Sequence, residues 1–285
     1  LAKDEDGTGI NKTASYAGDG GLQQVFAGVG FKVLDNLSIG ANISYIYGDI
    51  THSVTTAFSN SSSFSSVRLD KISINDYKLD FGLQYSYKFN KKHVLNFGAV
   101  YSLGHSVNGK GYKYNQKWLN GADYPSTQTG DTITNAFSLP HTFGAGLTYV
   151  YDNRLTIGAD FTYQQWEDAK FYNEKSYFSN RTKIAAGAEF VPNPYSRNYL
   201  KRVRYRVGGY YSDPYTKVDG QDGTREYGVS AGFGFPLFQS KSILNISGQY
   251  VRVSPKVKGM LEENYLKINI GLTFNERWFM KWKVD

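Results

Sequence analysis

The side chains of this 285-residue chain with the most chemical potential are basic and aromatic rather than catalytic. Arg202, Arg204 and Arg206 recur at every second position. In an extended strand their guanidinium groups therefore share one face, able to take an anionic head group or to pair with carboxylates such as Glu189. Tyr112, Tyr114, Trp118 and Leu119 crowd into an otherwise polar stretch and, with Trp166, are the candidates for gripping a hydrophobic small molecule. The plainer role for those rings is to pack one segment onto its neighbours. Near the C-terminus Trp278, Phe279, Met280 and Trp282 stand among Arg277, Lys281 and Lys283, the composition of a partner-binding anchor or of a basic aromatic segment lying along the membrane interface.

Catalytic patterns are weak. His52, His93, His105 and His141 have no metal-ligand spacing, and GHSVNG at Gly104 to Gly109 departs from the G-x-S-x-G elbow. His105-Ser106 leaves a barrel lipase as a minor reading, since a serine nucleophile needs a base across the site rather than beside it in sequence. The chain has no cysteine, which removes disulfides, thiolate zinc sites and thiol catalysis together. Asp4, Asp6, Asp219 and Asp222 match no calcium loop. The expectation is a protein that is not an enzyme and needs no cofactor or metal.

The elements that carry these residues are strands. Val25, Ala27, Val29, Phe31 and Val33 alternate with Gln24, Phe26, Gly28, Gly30 and Lys32, and Asp35-Asn36 then turns the chain. The same period of two continues from Leu37 to Tyr47 and from Tyr77 to Phe89. It recurs through eight further runs, ending with Leu266 to Phe274, for about eleven strands. With 20% of residues charged, about 56 positions on the apolar faces should hold roughly 11 charges. They hold none. Lys78, Asp80, Asp160, Lys183, Glu189, Arg204, Arg206 and Lys267 all fall on the opposite face.

Three features turn the apolar face outward. A barrel of eleven strands or more is too wide for side chains to fill, so its lumen must be the polar side. Aromatic rings gather at both strand ends, Tyr45, Tyr47, Tyr101 and Tyr163 at one and Phe31, Tyr85, Tyr87 and Phe190 at the other, as girdles at two water interfaces. Connections alternate between short turns and long segments (Thr51 to Asp70, Gly104 to Asn135, Glu167 to Asn180), the pattern of periplasmic turns and external loops. These features predict an all-β chain, an antiparallel transmembrane β-barrel in a Gram-negative outer membrane. Its net charge of +7 and pI of about 9.2 then suit anionic lipid and lipopolysaccharide, with Arg252 at the outer rim as one contact. Nucleic acid is unnecessary.

The run from Leu139 to Trp166, LPHTFGAGLTYVYDNRLTIGADFTYQQW, resembles the long-chain fatty acid transporter (FadL-type) family, in which a Leu-Pro-opened hairpin closes with a Tyr-x-x-Trp strand end. Lys183 to Phe190 and Tyr205 to Pro214 resemble that family's next strands, and the likeness covers roughly Gly20 to Phe274. The resemblance implies a barrel of about fourteen strands, of which about eleven are visible here. Bacterial barrels usually have an even number of strands, which puts an odd number upstream. Leu1 to Gly21 is then the end of an external loop, 1–274 one barrel domain, and 275–285 a periplasmic tail. The resemblance implies an outer-membrane channel for hydrophobic molecules such as long-chain fatty acids. The alternative is a non-transporting barrel subunit of a larger outer-membrane or secretion assembly, to which the aromatic tail would dock a partner.

Overall fold

The computed structural model describes residues 11–59, 64–119, 127–135, 137–172, 175–218, 220–237, 242–255 and 262–274. The first strands are β1 (Lys12–Leu34), β2 (Leu37–Phe58), β3 (Phe64–Lys88), β4 (His93–Ser102), β5 (His105–Ser106), β6 (Gly109–Leu119), β7 (Thr127–Thr134) and β8 (Ser138–Leu139). They are followed by β9 (Thr142–Tyr151), β10 (Leu155–Gln164), β11 (Arg181–Phe190), β12 (Arg204–Ser212), β13 (Lys217–Val218), β14 (Gln221–Asp222), β15 (Thr224–Pro236), β16 (Ile243–Pro255) and β17 (Glu263–Thr273). Eleven of them form one antiparallel wall in the order β1-β2-β3-β4-β9-β10-β11-β12-β15-β16-β17. Every step joins chain neighbours or skips only over external strands. This is the up-and-down connectivity of a membrane barrel.

The register carries the two faces intact around the wall. One row runs Phe31, Ile39, Leu83, Ala99, Ala145, Phe161, Ile184, Tyr211 and Tyr227, all from the apolar face. A one-residue slip of β10 or β11 would bring Asp160 or Lys183 into it. Large apolar side chains of this face are solvent-exposed in the isolated chain, among them Phe81 at 46% and Leu147 at 48%. That is the burial pattern of a wall whose outer medium is hydrocarbon. Short turns follow their chemistry. Asp152 and Asn153 both take φ of 52° in the three-residue connection between the paired Tyr151 and Leu155, where the Arg154 N–H donates to the Tyr151 carbonyl at 2.9 Å, and Asn90 accepts the backbone N–H groups of Lys92 and His93.

The external segments differ from the expected loops. Lys12 to Gly21 is strand, most of Thr51 to Asp70 continues β2 and β3, and Gly104 to Asn135 contains β6 and β7. β3 is 25 residues long; its C-terminal part pairs with β4 and its N-terminal part with β6, which pairs in turn with β7. Beyond the membrane both faces of a strand meet water, so hydropathy no longer alternates while backbone pairing continues. Leu139-Pro140 also does not open the β9 hairpin. Leu139 pairs with His105 in β8, and β9 starts at Thr142.

Candidate functional site

The site grows from the inner face of β3. Lys78 and Asp80 lie on that face, joined to each other, and by the period of two so do Ile74 and Ile72 further out. Ile72 and Ile74 are 4% and 5% exposed. They pack with Val107 and Tyr172 into a buried cluster covered by Ile46, Ile133, Phe137, Leu139 and Phe171. Three external segments thus fold inward over the outer mouth of this part of the wall. Backbone bonds stitch them together: Val107 N–H donates to the Phe137 carbonyl at 2.9 Å and Ser138 N–H to that of Lys170 at 3.0 Å. The result is an apolar cap.

Tyr172 closes the cap under strain. Its backbone sits at φ 51°, a left-handed conformation unusual for a bulky residue, and its hydroxyl is buried without a hydrogen-bond partner. Lys113 lies 4.7 Å over the ring. Burial, with Asp70 nearby, pushes its phenol up to about 12. Trp166 belongs to the same assembly. Its indole N–H donates to Gln164 at 3.1 Å, and its ring meets Phe178 at 5.3 Å, Tyr215 at 5.1 Å and Phe137 at 6.3 Å. Trp166 therefore joins the loops to one another.

Further round the wall, on β11 and β12, the inner face is polar and paired. Glu189 accepts from Arg204 at 3.0 Å and from Arg206 at 2.6 Å, and Arg206 also donates to Asn245 at 2.7 Å. Two guanidinium groups around one carboxylate leave local positive charge facing the lumen. Tyr210 donates to Glu226 close by.

The remaining candidates are dispersed. Tyr112, Tyr114 and Trp118 alternate along β6, opposite Lys71, Leu69 and Ser65, which places them on the face turned away from the cap. Leu119 ends that strand opposite Phe64. On the outer surface Asp49 is held below its usual carboxylate value by hydrogen bonds from Ser73 and Lys71, the Lys71 ammonium being 3.1 Å away. Arg252 is engaged by Glu262 at 2.5 Å. The Ser106 hydroxyl meets Ser138 at 3.4 Å while the His105 ring meets Asp76 at 3.4 Å, so the two are not assembled as nucleophile and base. Among the described residues no group of three or more acidic or histidine side chains is placed to hold a metal. Trp278, Phe279 and Trp282 lie outside the described residues.

The cap is what sequence reasoning missed, and a signal for it exists. Apolar residues sit at even positions in Ile72 and Ile74, then at odd positions from Tyr77 to Leu83, with no shift of register against β2. A strand whose apolar side changes without a bulge has left one environment for another.

A family model for BamG matches residues 1–285. The chain belongs to the BamG family. Among solved structures, this BamG-family wall resembles a FadL homologue of Pseudomonas aeruginosa at 16% identity and a TM-score of 0.54, over 84% of this chain and 61% of that one. It resembles the toluene transporter TbuX of Ralstonia pickettii at 12% and 0.57, over 91% of this chain and 69% of that one. The toluene transporter TodX of Pseudomonas putida follows at 14% and 0.51, over 88% and 68%. At such identities the likeness is one of fold, and it establishes the FadL-type transmembrane β-barrel. The chain spans 61% of the length of the FadL homologue. No curated protein sequence matches it.

Proposed function

We propose that this barrel is a subunit of a larger outer-membrane protein assembly and does not conduct hydrophobic molecules through its lumen. The observation that carries the reading is the cap: buried Ile72, Ile74, Val107 and Tyr172 close the outer mouth along this wall, and paired charges stand on the inner face of β3 (Lys78 and Asp80) and, further round, of β11 and β12 (Glu189, Arg204 and Arg206). An apolar solute entering there would have to open the cap and then cross a lining that solvates it poorly. Membership of the BamG family, a label distinct from the transporters that the wall resembles in fold, is compatible with the same reading. The candidate surfaces for partners are the C-terminal segment with Trp278, Phe279 and Trp282, on the periplasmic side by the strand count, and the outward row Tyr112, Tyr114 and Trp118. The test is deletion of Glu276 to Asp285. Loss of co-purifying proteins with the barrel still folded supports the anchor; unchanged partners remove it.

A second reading, passage of a hydrophobic small molecule, is favoured by one observation. A cavity of about 680 Å³ lies against the inner wall where Gly40, Gly82, Gly144 and Gly146 leave the backbone bare. In that reading Arg204 and Arg206 would meet an anionic head group. Uptake of hydrophobic substrates by a Trp118→Ala, Leu119→Ala strain at a reduced rate would favour it, and an unchanged rate would count against it.

A further inference from the structure

The outer surface of a barrel is convex, so a hollow on it calls for an occupant. One lies on the apolar face of β1 to β4 and β9, about 620 Å³ in volume and lined almost wholly by carbon. Its floor includes Ala41 and Ala99, the small members of rows whose neighbours Phe81 and Leu83 form the sides. We propose that this hollow is a binding slot for an acyl chain of a membrane lipid.

Its direction carries the argument furthest. The slot crosses five strands, four inter-strand steps of about 4.8 Å, or roughly 19 Å in all. Because barrel strands tilt, a path across them also climbs through the membrane. At one end is Phe31, of the girdle on the short-turn side; at the other are Tyr101 and Phe143, in ring contact at 5.2 Å on the external side. The slot therefore runs through the apolar band from one interface towards the other, the direction in which acyl chains lie. The medium against it is hydrocarbon, and an apolar hollow of this kind does not hold water. At the external end the Tyr101 hydroxyl is fixed by His141 at 2.8 Å, a polar rim where a lipid leaves the apolar band.

The luminal side explains why the slot persists. The cavity behind it shares Gly40, Gly82 and Gly144, so both sides of one stretch of wall are hollow. A Cβ at Gly144 would stand 2.6 Å from a Val100 methyl, and one at Gly146 2.3 Å from the Asp160 carboxylate. The Val100 and Asp160 side chains thus lie over the bare backbone at Gly144 and Gly146, while a Cβ at Gly82 would meet nothing nearer than a Val100 methyl at 4.0 Å.

The experiment uses the whole protein reconstituted with a phospholipid carrying a diazirine on one acyl chain, with cross-linked peptides mapped after illumination. Cross-links concentrated on Ile39 to Ala41, Phe81 to Leu83 and Ala99 to Tyr101, severalfold above those on the freely exposed Leu266 to Ile270 face, are expected. An Ala41→Phe, Ala99→Phe variant should abolish the excess, whereas Ala231→Phe elsewhere on the apolar face should keep it. Uniform labelling of the wild-type protein would overturn the proposal. So would an excess that survives in the filled variant, labelling by a diazirine fatty acid but not by the phospholipid, or a partner protein cross-linked at these peptides instead.

Discussion

Replacing Tyr172 with alanine should loosen the cap while leaving the barrel folded. The ring is 5% exposed, meets Phe171 edge-on at 4.9 Å and carries Lys113 above it. Truncating a buried aromatic ring costs about 3–5 kcal/mol. Removing the buried hydroxyl that lacks a partner returns about 1–3 kcal/mol of that. The net is roughly 2 kcal/mol, or about a 30-fold rise in the population of the open cap. Lys170 reports the opening, since it is partly covered and its carbonyl is held by Ser138. Trypsin should cleave after Lys170 about 30-fold faster in the variant when opening is fast relative to cleavage. The unboiled protein should keep its fast gel mobility, because the cap lies outside the membrane-spanning strands. Tyr172→Phe, which keeps the ring and removes the orphaned hydroxyl, should be cut no faster than wild type. Equal cleavage of Tyr172→Ala and wild type, or loss of the barrel's heat-resistant mobility along with the cap, would refute the reasoning.

Three further outcomes are expected. Phe81→Arg places a charge on the lipid face and should cost about 2–4 kcal/mol near the bilayer midplane, whereas Asp80→Asn, on the inner face beside Lys78, should cost less than about 1 kcal/mol; denaturant midpoints of the two variants in lipid compare them. Because folding holds the Tyr172 phenol in its protonated form up to about 12 against an ordinary 10, its contribution is intact below pH 10 and lost between 10 and 12. The phenolate absorbance of Tyr172, read as the difference between wild type and Tyr172→Phe, should therefore appear above pH 10, with its midpoint near 12 rather than 10. Glu189→Gln leaves Arg204 and Arg206 without their carboxylate; at 38–40% side-chain exposure of the arginines solvent screens the loss to about 1 kcal/mol. A double-mutant cycle with Arg206→Gln should show the coupling, and additive effects would remove the pair from the account.

The membrane wall was legible because hydrocarbon imposes a strict rule on strands. Every second residue from Leu37 to Tyr47 or from Leu155 to Tyr163 has to be apolar, and the turn residues Asp35-Asn36 and Asp152-Asn153 punctuate them. All eleven strands and their facing follow from that. The external strands obey no such rule. Thr51 to Phe58 pairs residue by residue with β1, yet its Thr, Ser and Val composition reads as well as a loop. The Arg204–Glu189–Arg206 contact was open to reading from alternation, since all three share the inner face. The cap was not, because Val107, Phe137 and Tyr172 come from separate segments whose meeting depends on tertiary packing. Trp166 was found for its type, but its partners Phe178 and Tyr215 lie on connections that no periodicity ties to it.

The central claim is that the barrel works as part of a protein assembly. It is tested most directly by extracting the tagged, chromosomally expressed protein from native membranes in mild detergent and weighing the particle. The account predicts a stoichiometric complex with other outer-membrane proteins, containing this barrel with its external cap closed. A lone barrel that carries a hydrophobic small molecule in its lumen would contradict it.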